Sequence, residues 1–171
     1  MLMGVGDAAS LQPFRLKNNH PSQPQGVKSR SCGLQKRPHK DNMVSHTAEV
    51  RVRYAETDQM GVVYHANYLM WFEVARVRLL EAHGSSYPEL ERSGYRLPVL
   101  EVTAKYHAPA RFDDALAVTA TVTEARGARL AISYEVKRGE TLLCTGLTRH
   151  AFVGHDGAPK RPPEGFVERF G

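Results

Sequence analysis

The run Asp58-Gln59-Met60-Gly61-Val62-Val63-Tyr64-His65-Ala66-Asn67-Tyr68 places a carboxylate, a glycine and an imidazole within a few residues of where helical periodicity begins. A helix start offers backbone N–H groups without an intrahelical acceptor, together with a partial positive charge. Both properties suit a carbonyl oxygen turning into an oxyanion, and one donor of this kind contributes about 3 to 4 kcal/mol to a transition state. Asp58 then stands beside the electrophilic carbon, where it either attacks that carbon or activates a water that does. The residues alone leave plainer roles open: Asp58 as a turn carboxylate, His65 as a polar residue at a helix start, Gly61 as a position of positive φ and Tyr64 as core filling.

The other reactive side chains are weaker candidates. Glu73 sits in the helix about 10 Å beyond its start at 1.5 Å per residue, too far to share an oxyanion site with His65. It reads as a salt-bridge partner of Arg76 or as packing beside Val77. Asp113 and Asp114 read as loop or capping acids. His65, His107, His150 and His155 lack the short spacings of zinc sites, so no metal is expected. Cys144, in Leu142-Leu143-Cys144-Thr145, reads as a small buried residue rather than a nucleophile.

Around this run the chain is patterned. Ala48, Val50, Val52 and Tyr54 alternate with Glu49, Arg51 and Arg53, the period of a strand with one wet face. Tyr68, Phe72, Ala75, Leu79 and Ala82 then recur at intervals of three and four, one face of a helix that Gly84 ends. Trp71, Val74 and Val77 widen that face, so the helix is expected to be buried on more than one side. A linker with Pro88 and Gly94 leads to four more strands. Leu100, Val102, Ala104 and Tyr106 alternate in the first, Leu116, Val118, Ala120 and Val122 in the second, and Leu130, Ile132, Tyr134 and Val136 in the third. The fourth spans about 141–153. Short glycine-bearing connections at 126–128 and 137–140 read as hairpins, and the proline-rich tail from about 154 reads as loop. One early helix followed by sequential strands defines an α+β chain, with a single antiparallel sheet wrapped around the helix.

Composition bounds what such a chain can be. Its 171 residues suit one domain plus an extension. No stretch approaches the roughly 18 apolar residues of a membrane span. Cys32 and Cys144 make no disulfide framework, which points to a reducing compartment. The net charge of +5 lies wholly in residues 1–43, with seven Lys and Arg against two Asp, whereas the remainder carries 16 basic and 16 acidic residues. A neutral folded part argues against nucleic-acid binding. Residues 1–43, rich in Gly, Pro, Ser, Gln and Asn, read as a disordered basic extension ahead of a domain at 44–171. Three origins stay open for the extension: an organellar targeting segment, a tail for anionic partners, or upstream sequence ahead of a true start at Met43.

The string ETDQMGVVYHANYLMWFEVARVRLLEAHG resembles the hotdog-fold acyl-CoA thioesterases, the family of 4-hydroxybenzoyl-CoA thioesterase and of the thioesterase associated with the Tol–Pal envelope system. The shared hallmark is Asp-x-x-Gly-Val-Val-Tyr-His-x-x-Tyr leading into Phe-Glu-x-Ala-Arg, matched from Asp58 to Arg76. A second stretch, Tyr106-His107-Ala108-Pro109-Ala110-Arg111-Phe112-Asp113-Asp114, is similar to the family's Tyr-x-x-Pro-Ala loop with an acidic pair. The resemblance covers roughly residues 48–152. It implies a hotdog fold, one long central helix wrapped by a five-stranded antiparallel sheet. It implies hydrolysis of an acyl- or aryl-CoA thioester in the cytoplasm, with Asp58 as catalytic carboxylate, the N–H at His65 as oxyanion site, and Tyr64 and Gly61 completing the catalytic loop. It implies neither metal nor organic cofactor, and active sites at the interface of a homodimer that often pairs into a homotetramer. Coenzyme A carries phosphates, for which Arg111, Arg126 and Arg129 are the local cations, solvated turn charge being the plainer role of each. An acyl carrier protein is a further candidate partner. The alternative is a non-catalytic module of the same fold that binds acyl-CoA or an acyl-carrier ligand, against which the intact Asp58 argues.

Overall fold

The structure is a computed structural model that describes residues 43–171. The expected disordered extension at 1–43 therefore lies, save for Met43, outside the described residues. Strand β1 (Ser45–Arg51) leads through a 3-10 turn at Tyr54–Glu56 and a tight loop into α1 (Asn67–Ala82). After α2 (Tyr87–Arg92) come β2 (Val99–Tyr106), β3 (Ala115–Arg126), β4 (Arg129–Arg138) and β5 (Thr141–Ala151), and α3 (Phe166–Phe170) closes the chain. The five strands form one antiparallel sheet in the order β1-β3-β4-β5-β2. This is the hotdog fold. The loop at 107–114 carries the chain from one sheet edge, β2, across to β3, so only β3, β4 and β5 are joined by tight hairpins.

Burial follows the alternation in the middle of the sheet. Leu116, Val118, Ala120 and Val122 of β3 and Leu130, Ile132, Tyr134 and Val136 of β4 are buried. Against them α1 lays Tyr68, Trp71, Phe72, Ala75, Leu79 and Leu80. Phe72 stacks on Tyr134 with ring centroids 4.4 Å apart, and the same ring passes over Gly146 of β5, where any Cβ would collide with it. Only glycine lets helix and sheet approach this closely.

Several expectations change. Ala82 is exposed rather than part of the helix's core face. Val74 is exposed as well, together with Leu69 and Met70, so in a single chain α1 is covered on one side only. In β2, Leu100, Val102 and Tyr106 are exposed because the strand lies at the sheet edge, where the helix covers it only in part. The linker after Gly84 contains α2, started by Pro88 in its first turn. The proline-rich tail ends in α3, whose Phe166 and Phe170 stack at 4.4 Å and are buried. Arg169 Nη1 donates to the carbonyls of His83 and Gly84, closing the C-terminal end of α1.

Candidate active site

The loop between β1 and α1 folds back on itself. Tyr64 N–H donates to the Glu56 carbonyl and Asp58 N–H to the Val62 carbonyl, both at 2.9 Å, with Thr57 opposite Val63 between them. Gly61, at φ +69°, turns the tip of this small hairpin as expected. Asp58 thereby lies opposite Val62, which stands three residues before His65. Its side chain is half-buried. Oδ1 accepts the Met60 N–H at 2.8 Å, which fixes the carboxylate in an Asx turn, and among the described residues no donor meets Oδ2.

The first N–H groups of α1 itself are taken. Asn67 N–H donates to the Tyr64 carbonyl, Tyr68 N–H to His65 and Leu69 N–H to Ala66. The helix N-cap, Ala66, makes no side-chain capping bond. Among the described residues, no acceptor meets the N–H of His65 or of Ala66. These are the two open donors at the positive end of a sixteen-residue helix. The His65 imidazole is itself exposed and packs on the exposed Tyr64 ring at 4.4 Å, so Tyr64 is not core filling.

The second motif packs directly onto the first within one chain. The Ala110 carbonyl accepts from Val63 N–H at 2.9 Å, and Ala110 N–H donates to Tyr68 Oη at 3.1 Å. Arg111 Nη1 donates to the Gly61 carbonyl at 3.2 Å, and Tyr106 Oη donates to the His65 carbonyl at 3.0 Å. Asp114 caps the Arg111 N–H and pairs with Arg138, while Asp113 pairs with Arg51 through both carboxylate oxygens at 2.7 Å, so both acids have the structural roles expected of them. Arg126 and Arg129 face each other across the β3–β4 turn. With β3 running roughly 35 Å from Ala115 to that turn, the structure does not bring them to the Asp58 loop of their own chain.

Sequence reasoning passed over Glu56. Its carboxylate is 4% exposed and receives Arg53 N–H at 2.7 Å, Arg53 Nη2 at 2.9 Å and Trp71 Nε1 at 3.2 Å. Burial alone would push this carboxyl up, but the donors outweigh it and hold its pKa below the ordinary value. Its backbone carbonyl also takes Tyr64 N–H and Asn67 Nδ2. One acid thus ties the loop to the helix, and its signal was the spacing of Arg53 and Glu56, that of a capping box.

The remaining candidates are dispersed. Glu73 is exposed and makes no ion pair with Arg76, whose Nη1 instead lies 3.0 Å from His150 Nδ1. His107 bonds Thr145 and His155 bonds Arg96, so the four histidines occupy separate places. Among the described residues, no three His, Cys, Asp or Glu side chains group as a metal site would require. Cys144 is fully buried, and burial pushes its thiol up to about 11, which suppresses the nucleophilic thiolate.

Fold and loop together define a hotdog protein with a carboxylate in the loop that leads to the start of its long helix. Residues 52–170 match the family model described as the Thioesterase-like superfamily, and the chain belongs to that superfamily. It is 39% identical over 88 residues to the putative acyl-CoA thioesterase YneP of Bacillus subtilis, a match spanning 52% of this chain and 64% of that one. It is 38% identical over 94 residues to the acyl-CoA thioester hydrolase YbgC of Escherichia coli, spanning 55% of this chain and 70% of that protein. A hypothetical protein of Thermus thermophilus of known crystal structure superposes with a TM-score of 0.70 at 38% identity, covering 72% of this chain and 95% of the other. Among the described residues, no helix is long and apolar enough to cross a membrane.

Proposed function

We propose that the chain is an acyl-CoA thioesterase that hydrolyses an acyl- or aryl-CoA to the free acid and coenzyme A. The observation that carries this reading is the pair of open N–H groups at His65 and Ala66, at the end of the hairpin that holds Asp58. The thioester carbonyl oxygen accepts these donors, and negative charge on it grows as the carbon is attacked. Asp58 Oδ2 supplies the attack in one of two ways. It takes a proton from water as hydroxide adds to the carbon, or it adds directly and forms an anhydride that water then cleaves. Either way one water is consumed, the C–S bond breaks, and the thiolate leaves with a proton. Glu56, Tyr106 and Arg111 are positioning residues for the loop. The reaction needs neither a metal nor a cofactor.

A second copy completes the enzyme. The apolar residues left exposed on α1 and on the edge strand β2 lie on adjoining elements, and an uncovered edge is normally paired. A dimer formed along β2, with or without further pairing into a tetramer, pairs that edge. It also gives the Arg126 and Arg129 hairpin a site it can reach, the coenzyme A phosphates held at the partner's loop. The cytoplasm, where coenzyme A esters and reduced thiols coexist, suits both substrate and Cys144.

The test is thiol release from a panel of aryl-CoA and aliphatic acyl-CoA esters, with Asp58→Asn as control. Hydrolysis of at least one class that disappears in the variant supports the reading. Hydrolysis of none, or equal hydrolysis by the variant, refutes it.

A further inference from the structure

A cavity of about 180 Å3 opens between α1 and β2, away from the Asp58 loop. Leu69, Met70 and Phe72 of the helix and Val99 and Val102 of the strand give it apolar walls, while Arg76, Thr148 and His150 form a polar floor. Arg76 is only 6% exposed. One face of its guanidinium is covered by the Tyr87 ring at 5.7 Å, Nη1 lies 3.0 Å from His150 Nδ1, and Nε has no acceptor. His150 supplies no balancing charge. Burial and the neighbouring Arg76 push its pKa down to about 4, so the ring is neutral, and its Nε2 lies 2.8 Å from Thr148 Oγ1. None of the ion pairs among the described residues includes Arg76.

A buried cation without a counter-charge destabilises the fold, and an apolar side chain of similar size would be the more stable choice. The cavity beside it is large enough for a short hydrocarbon chain. Its place on the fold says where such a chain would come from. His65 and Arg76 are eleven residues apart on the line of α1, about 16 Å, and long helical side chains lean back toward the N-terminus. That leaves roughly 10 Å between the thioester position and the guanidinium, the reach of an acyl chain of about six to eight carbons.

Building on the thioesterase reading, we propose that this cavity receives the far end of the acyl group and that Arg76 binds a carboxylate there, which makes monothioesters of medium-length dicarboxylic acids the preferred substrates. A neutral chain end would leave the buried charge unanswered. Glu73 stands at the exposed rim and opposes an entering anion, but solvent screens it, whereas the buried Arg76 acts at short range in a poorly polarisable surrounding.

The test compares two CoA esters of equal length, adipyl-CoA ending in carboxylate and hexanoyl-CoA ending in methyl. Wild type should favour adipyl-CoA at least tenfold in kcat/KM, Arg76→Met should bring the ratio close to one, and Glu73→Gln, which leaves the core untouched, should raise it two- to threefold. A wild-type preference for hexanoyl-CoA, or a lower ratio in Glu73→Gln, overturns the proposal. Calorimetric binding of free adipate against hexanoate separates the two readings. Adipate bound through Arg76 without hydrolysis of any ester would sink the thioesterase and keep the carboxylate site. Hydrolysis without discrimination, and without adipate binding, would sink the carboxylate site alone.

Discussion

The two ends of the groove between α1 and β2 are built on opposite terms. At the end near His65, the polar groups of two loops answer one another: Glu56 with Arg53 and Trp71, Tyr106 with the His65 carbonyl, Arg111 with Gly61. What stays open there is a carboxylate oxygen and two N–H groups. At the end near Arg76 the chain leaves business unfinished, with bare apolar side chains on Val99, Val102 and Met70 and a buried guanidinium that forms no ion pair among the described residues. The first end carries its reacting groups within one chain, whereas the second waits for molecules that a single chain does not contain. A difference of this kind is expected where one surface is a reaction site and the adjoining one is an interface and a pocket.

The largest effect expected is at the finished end. Asp58→Asn should fold normally and lose at least about 100-fold in kcat, since the amide is neither base nor nucleophile. Retention of more than a tenth of wild-type kcat would remove Asp58 from the mechanism. Next comes the unfinished end, where Leu100→Glu puts a charge on the edge strand. Sedimentation should show a shift from dimer to monomer, with activity falling about tenfold or more at micromolar concentration. An active wild-type monomer would end the claim that this edge is an interface.

A smaller loss separates scaffold from chemistry. Glu56→Gln keeps the shape but weakens the charge-assisted bonds from Arg53 and Trp71. It should lower kcat about tenfold, with KM nearly unchanged and the melting temperature reduced by a few degrees. A change confined to KM would show that the loop holds substrate rather than orienting Asp58.

The pH response of stability belongs to the unfinished end. An unfolded histidine titrates near 6.5, whereas His150 in the fold titrates at about 4. Between these values the unfolded chain takes up a proton that the fold refuses, so this contribution to stability is present at neutral pH and lost as pH falls through that window. The slope is at most about 1.4 kcal/mol per pH unit. Chemical denaturation of His150→Gln at pH 7 and pH 5 should show a shallower slope than wild type. The smallest effect is expected for His65→Ala, which keeps the backbone N–H. Its kcat should stay within about threefold, and a hundredfold loss would make the imidazole itself the catalyst.

Much of this layout is legible in the residues, because it rests on local periodicity. The alternation in β3 and β4 and the three-four spacing of Tyr68, Phe72, Ala75 and Leu79 each state which side faces the core, and the core is there. The same reasoning fails for β2. Its alternation is as regular, yet a pattern shows only that a strand has two faces, and which strand ends at a sheet edge is decided by long-range pairing. α3 escaped because two buried phenylalanines do not outweigh three nearby prolines in a local reading. Within the candidate site, the turn at Gly61 is legible from the glycine, and so is the place of Asp58 in the loop ahead of the helix start. Glu56 was not, since a buried acid is recognised by its partners, and Trp71 lies fifteen residues away. Of the two roles that the sequence offers Glu73, the salt bridge with Arg76 rests on helical spacing, a rule for exposed side chains that does not carry over to a buried one.

The burial of Cys144 has a practical side. Any enzyme that cleaves thioesters is followed most directly by the appearance of free thiol, and a protein's own cysteines then form the background. A sulfhydryl sealed inside the sheet, with burial pushing its ionisation up to about 11, should be slow to react with thiol reagents at neutral pH. Replacing Cys32 alone with serine should therefore give a protein with a flat baseline, on which slow hydrolysis of poor substrates can be read directly.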